Sequence, residues 1–247
     1  LSISCGAVHS WLVWTDLKHQ KEISKWKWIF YANISHGFKV PIMLITEPIN
    51  VLLKQIDSMA PTDIKETLIF MEKNALKLKF LLKQLLEFNK VEQGKIKLNL
   101  KTIDIIPFVR QISYNFNTIS KIKKINFTFE SNIESIKITF DPEKIEVVLF
   151  NLLSNAFKFT PNGGNVCLKC IFDDKKNKVT IFVRDNGIGI KEEHRNKVFD
   201  YFWKDTENII NNEGTGLGLS IANDYVKIHH SSIKINHDYH DGCEFHF

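Results

Sequence analysis

Three residues of one segment have the types and spacing to hold a charged ligand. Asn151, Asn155 and Lys158 stand at i, i+4 and i+7 of Glu146–Thr160 (EVVLFNLLSNAFKFT), a stretch without Gly or Pro and rich in helix formers. On a helix this spacing aligns two amides and an ammonium along one face. Amides are unfavourable in a helix interior unless exposed or partnered. Amide oxygens suit a hard cation such as Mg²⁺ and an ammonium suits phosphate, so the line fits a metal-bound polyphosphate. The plainer alternative is a solvated polar stripe on a packed helix.

Two glycine-rich segments weigh against the plain alternative. In VTIFVRD, a strand period of two puts Val179, Ile181, Val183 and Asp185 on one face. Asp185 is then a carboxylate in phase with core residues, and a buried carboxylate needs a partner. Gly187 and Gly189 follow in NGIGI and let the backbone come close to a ligand. A carboxylate there can accept from an exocyclic amine such as that of adenine, although the pattern is also a common turn. Gly214-Thr215-Gly216-Leu217-Gly218-Leu219-Ser220 leads into a helix, whose free N–H groups and positive dipole end suit phosphate. It matches neither the Rossmann fingerprint nor a P-loop, and a glycine-rich hinge is the other reading. Between the two segments, Lys191 to Glu213 reads as a lid over a bound ligand.

His36 lies far upstream on a predicted helix. It is two residues from both Ile34 and Phe38 of the apolar seam, hence about 200° away around the helix and facing solvent. An exposed histidine of pKa about 6.5 is mostly neutral at pH 7, with a ring nitrogen free to act as nucleophile. Most such residues are surface residues only.

The elements that must position these groups fall into two regions. Periodicity predicts one helix over 22–56, with Phe30, Ile34, Phe38, Ile42, Ile45, Ile49, Leu52 and Ile56 as a seam and Pro41 and Pro48 bending it. A turn, DSMAPTD, offers Thr62 or Asp63 as a cap. A second helix from Ile64 to Val91 keeps the seam through Leu68, Met71, Ala75, Leu78, Leu82 and Leu85. A lone hairpin buries little, so pairing with a second copy into a four-helix bundle is expected. After Gly94, alternating segments at Lys95–Leu100, Ile125–Glu130 and Ile136–Phe140 predict strands. Helices fit Asp104 to about Lys121 and Pro142 to Lys158, the latter capped by Asp141. Strands Asn165–Phe172 and Lys178–Arg184, a helix Gly216–His229, and strands Ser232–Asn236 and Cys243–Phe247 complete an α+β sandwich with one sheet.

Bulk properties narrow the classes. The chain has 247 residues, 44% hydrophobic and 25% charged, with net charge +5, enough for two modest domains. Its lysines alternate with acids, which argues against nucleic-acid binding. Four cysteines do not make a disulfide framework. Cys167 and Cys170 lie three apart on a predicted strand, pointing to opposite faces, so metal or redox chemistry there is disfavoured. Leu1–Trp14 is apolar and followed by Lys18, Lys21, Lys25 and Lys27. It reads either as the end of a transmembrane helix with lysines on the cytoplasmic side or as an amphipathic helix on a partner.

In this order, the residues resemble sensor histidine kinases of two-component systems over roughly Lys21 to Phe247. Asn151-x-x-x-Asn155-x-x-Lys158-Phe159 resembles the N box and Asp185-x-Gly187-x-Gly189 the G1 box. Phe199-x-x-Phe202 resembles the F box and Gly214-x-Gly216-x-Gly218 the G2 box, while FYANISHGFKVPIMLI is similar to the H box. The H-box region is closest in style to hybrid sensor kinases of gut Bacteroides-type bacteria. The resemblance implies a segment 1–21, a dimerising phosphoacceptor hairpin over 22–93, and an ATP-binding domain of the GHKL type over 94–247. It implies that His36 takes the γ-phosphoryl of ATP, that Asn155 and Asn151 hold Mg²⁺, and that Lys158 contacts phosphate. Asp185 would bind the adenine amine, with Phe159, Gly187, Gly189, Gly214, Gly216, Leu217 and Gly218 shaping the pocket. The implied partners are a second copy of the chain and a response-regulator receiver domain, and the implied setting is the cytoplasmic part of a bacterial inner-membrane sensor.

The H box departs from the family. The family's acidic residue after the histidine is here Gly37, and Lys39 and Val40 replace the usual Arg-Thr. The missing carboxylate would fix the imidazole tautomer and accept its proton, a role worth about 10²–10⁴ in rate. Val40 lacks the polar group used in the family's phosphatase reaction. Two other readings follow: a degenerate kinase acting as a nucleotide-bound switch, and an ATPase related to gyrase or chaperones. The hairpin, and Asn151 where those ATPases carry a glutamate, disfavour the last.

Overall fold

A computed structural model of the chain describes residues 35, 37–54, 60–92, 97–205 and 215–247. It divides into two compact units, Leu1–Leu85 and Leu86–Phe247.

Residues 37–54 form helix α1 of the first unit, and Pro61–Glu92 form α2, which belongs to the first unit up to Leu85 and to the second from Leu86. Pro41 and Pro48 both sit within α1, and Pro41 is buried. α2 starts earlier than its sequence cap signals suggest. Pro61 takes the first helical position, where its fixed φ is preorganised and its missing N–H costs nothing. Thr62 and Asp63 are therefore inside the first turn rather than capping it. The apolar seams remain open: Ile42, Ile49, Leu68 and Leu82 are 38–50% exposed, whereas Leu52 is buried.

The second unit is a sheet covered on one face by helices. Strand β1 (Lys101–Asp104) pairs antiparallel with β3 (Lys137–Phe140) as a separate two-stranded sheet, so the unit has two sheets where one was expected. The main sheet has the order β2-β4-β5-β7-β6, from Asn126–Ser131, Asn165–Asp173, Lys178–Asp185, Cys243–His246 and Lys234–Ile235. Only β2 and β4 run parallel; the other neighbours are antiparallel. Helices α3 (Ile105–Tyr114), α4 (Asn117–Lys123), α5 (Pro142–Phe159) and α6 (Gly218–Ile228) complete the unit.

Further expectations shift in this unit. Residues 97–100 are irregular and the first strand lies at Lys101–Asp104, where the pairing with β3 fixes it. The helix expected over 104–121 is two helices, α3 ending at Tyr114 and α4 starting at Asn117. The last helix begins at Gly218 rather than Gly216, whose φ of +73° is not helical. Cys170 is buried and Cys167 half-buried, on opposite faces of β4.

α5 forms the centre of the unit. Its apolar face, with Val148, Leu149, Leu152 and Leu153 at 0% exposure, lies against the sheet and α6. Phe157 stacks on Phe116 at 5.4 Å and meets Phe127 edge-on at 5.2 Å. Asp141 anchors the start: its carboxylate accepts from Lys144 N at 3.2 Å and from Asn99 N at 2.8 Å. Its own N–H donates to His229 Nε2 at 3.0 Å. Asp141→Ala loses the cap and leaves the Asn99 amide without its acceptor, so it is expected to cost about 2–3 kcal/mol. The denaturant midpoint measures this, and a loss below half a kcal/mol would mean the cap is dispensable.

Candidate functional site

The polar line on α5 is not a solvated stripe. Asn151 is 7% exposed, and Asn155 and Lys158 are half-buried. The helix ends at the site: Thr160 N–H and Oγ1 both donate to Ala156 O, at 3.0 and 2.6 Å. Lys123 Nζ donates to Phe157 O at 2.6 Å, placing a cation where the last carbonyls point. Lys158 Nζ lies 4.8 Å over the Phe159 ring.

β5 delivers Asp185 to the same end of α5. Its side chain is 5% exposed and accepts from Gly187 N at 2.9 Å. Burial outweighs the backbone N–H groups of Gly187 and Cys243 and pushes the carboxyl up to about 6. A group so poised is ionised at neutral pH and can accept a hydrogen bond from a ligand amine. Gly187 then passes so close to α5 that a Cβ would lie 2.5 Å from Phe159 O. Only glycine fits there.

A cleft of about 370 Å³ opens where these segments meet, lined by Lys158, Phe159, Thr160, Asn162, Gly187 and Ile188 among others. The second glycine segment meets α5 further back, at Asn151. Gly216 has φ +73°, and a Cβ on it would lie 2.6 Å from the Phe202 carbonyl carbon; Phe202 N–H donates to Gly216 O at 2.9 Å. Leu217 is buried, fixing the segment, and a Cβ on Gly218 would lie 2.9 Å from Asn151 Oδ1. The start of α6 and the amide of α5 are thus in contact.

The structure therefore brings Lys158, Phe159 and Gly187 to one cleft, with Asp185 behind Gly187, and brings Gly218 to Asn151. Gly189 adopts φ +69° beside Gly242 O. His36 and Gly214 lie outside the described residues. Asn162, Asn186 and Ile188 are lining residues that sequence reasoning passed over. Asn186 Oδ1 accepts from Asn165 N at 2.6 Å, which ties β4 to the turn after Asp185. Ile188 is 61% exposed beside the cleft; an exposed aliphatic residue inside a glycine motif is the signal that marks it. No group of three His, Cys, Asp or Glu residues suited to a metal occurs among the described residues. Asn151 and Asn155 carry amide oxygens, a donor type that suits a hard divalent cation.

The profile of the histidine kinase-, DNA gyrase B-, and HSP90-like ATPase family matches residues 140–247. Histidine kinase P4 of Formosa agariphila is 33% identical over 234 residues, which are 93% of this chain and 17% of that protein. The chain thus spans less than a fifth of that relative. The nucleotide-free catalytic domain of histidine kinase ThkA is 26% identical, covering 61% of this chain and 94% of that domain at a TM-score of 0.54. Histidine kinase ThkA in complex with response regulator protein TrrA is similar in fold, at 22% identity and a TM-score of 0.62, over 88% of this chain and 59% of that one.

Proposed function

Through its ATPase domain the chain belongs to the sensor histidine kinases of two-component systems, and from that premise we propose that it binds Mg·ATP and phosphorylates His36. The observation that supports the reading is that α5 touches both glycine segments: Asn151, at its middle, lies against Gly218, and Phe159, at its end, lies against Gly187 with Asp185 behind it. Asp185 accepts from the adenine amine. Lys158 and the N–H groups at the start of α6 take phosphate, and Asn155 with Asn151 holds Mg²⁺. Phe159, Gly189, Gly214, Gly216 and Leu217 shape the pocket and its edge.

In the transfer, a neutral ring nitrogen of His36 bonds to the γ-phosphorus as the bond to the β–γ bridging oxygen breaks. ADP leaves, and the proton on the other ring nitrogen is released. Such transfers depend on positioning and charge stabilisation more than on covalent catalysis by the protein. The phosphoryl group then passes to an aspartate of a receiver domain, as the complex formed by ThkA suggests. The hairpin, 22–93, pairs with a second copy; the half-exposed seams of α1 and α2 support this. Among the described residues no helix is long and apolar enough to cross a membrane, and Leu1–Trp14 lies outside them; a membrane tether rests on the charge pattern of that segment.

Gly37 favours a second reading, a nucleotide-bound switch without transfer. Incubation with Mg²⁺ and γ-labelled ATP separates them: the kinase takes label, the switch binds nucleotide and takes none. Among the described residues, a Cβ at Gly37 would meet only Leu81 Cδ1, at an ordinary contact distance of 3.9 Å. Gly37→Glu is expected to raise the labelling rate by about 10²-fold if the absent carboxylate limits it. An unchanged rate would remove tautomer control as the explanation.

A further inference from the structure

α2 is continuous from Pro61 to Glu92, yet the division between the two compact units falls inside it, between Leu85 and Leu86. Its last turns belong by contact to the unit that carries the ATPase motifs. Among the described side chains there, Glu87 makes such an attachment. The Glu87 carboxylate accepts from the Tyr225 hydroxyl and pairs with Lys144 Nζ at 3.5 Å and Lys90 Nζ at 3.0 Å. The side chains of Glu87 and Lys144 are only 12% and 15% exposed. Tyr225 is fully buried, and the Lys144 ammonium lies 4.9 Å over its ring. A carboxylate so enclosed depends on partners of this kind, because its desolvation is otherwise uncompensated.

The two partners outside α2 sit on the two helices that bear the candidate site. Lys144 is in the first turn of α5, which carries Asn151, Asn155 and Lys158. Tyr225 is in α6, whose first residue, Gly218, touches Asn151. Successive helix residues differ by about 1.5 Å in rise and 100° in direction, so a slip or roll of α2 by one residue takes the carboxylate out of hydrogen-bond reach of both.

We propose that Glu87 is a positioning residue that clamps the end of α2 to α5 and α6, so that displacement of α2 is delivered to the nucleotide site through its carboxylate. What is positioned rests on the kinase reading above; the clamp itself does not.

The test uses the whole chain with two variants, Glu87→Ala and Tyr225→Phe. The first places a better helix former on α2, so local propensity alone predicts slower amide exchange over residues 86–92. The clamp predicts the opposite, an acceleration of about tenfold in either variant, as expected when a tertiary tie worth a hydrogen bond is lost. ADP affinity should stay within about twofold while label transfer from γ-labelled ATP to His36 slows by about tenfold or more, a loss in rate without a loss in binding. Unchanged or slower exchange over 86–92 in both variants overturns the clamp. So does faster exchange with an unchanged transfer rate, or ADP affinity that falls in step with transfer, which would indicate a merely structural role. A wild-type chain that takes no label removes the kinase reading alone, and the exchange over 86–92 still decides the clamp.

Discussion

Asp185→Asn is expected to make the folded chain more stable and its nucleotide binding weaker. The carboxyl is 5% exposed and its pKa is pushed up from 3.8 to about 6 by burial. A raised folded-state pKa means that the folded chain binds the proton more tightly than the unfolded chain. That contribution to stability is complete below about pH 4 and is lost as pH rises through about 6. At pH 7 the ionised group therefore carries a cost of about 3 kcal/mol, from two units at 1.36 each. Asparagine keeps an oxygen for the Gly187 N–H and removes the charge. The variant should gain on the wild type in melting temperature as pH rises from 4 to 6, and little outside that window. Binding moves the other way. An amide presents a donor where the adenine amine needs an acceptor, and loss of a charge-assisted hydrogen bond costs about 1.5–3 kcal/mol, or about 10- to 100-fold in affinity. Wild-type affinity should also fall as pH drops through 6. Calorimetric titration with ADP checks the affinity, and equal binding by the two proteins would remove Asp185 from the pocket.

Gly187→Ala should lower stability and binding together. Its Cβ would lie 2.5 Å from Phe159 O, 2.8 Å from Phe159 C and 2.9 Å from Asp185 Oδ1. Two of those atoms are backbone at the end of α5, which cannot swing aside as a side-chain tip can. The turn must move, breaking the Gly187 N–H bond to Asp185 at 2.9 Å and the Ile188 N–H bond to Phe159 O at 3.4 Å. Overpacking plus the lost bonds is expected to cost about 2–4 kcal/mol. With the carboxylate released and the cleft wall displaced, ADP affinity should fall by about 100-fold or more. The contrast with Asp185→Asn is diagnostic, since one variant separates stability from binding and the other does not. A chain of normal melting temperature and normal affinity would mean that the turn relaxes freely and that this close approach is not part of the site.

Much of this site is legible in the sequence because its signals are local. Asp141-Pro142 marks the start of α5, alternation in VTIFVRD places Asp185 on the core face, and the i, i+4, i+7 spacing aligns Asn151, Asn155 and Lys158. What sequence hides is decided at long range. β1 falls at Lys101–Asp104 instead of earlier because its partner is Phe140 to Lys137, some forty positions away. The break between α3 and α4 has no Gly or Pro to announce it, and α4 ends on Lys124 at φ +53°, a conformation rarely assigned to lysine in advance. Asn186 looks like an ordinary turn residue until its side chain is seen to bond Asn165 N. The cap expected at Thr62 or Asp63 is displaced by Pro61, because a fixed φ competes well with a side-chain acceptor for the first helical position.

The central claim is that His36 receives the γ-phosphoryl group of ATP held at the end of α5. The most direct measurement is incubation of the purified chain with Mg²⁺ and γ-labelled ATP beside His36→Gln, followed by exposure of the labelled protein to acid and to alkali. The expected label is lost in acid, survives alkali and is absent from His36→Gln, whose ADP affinity is unchanged. Measurable ATP binding with no label, or label that persists in His36→Gln, would contradict it.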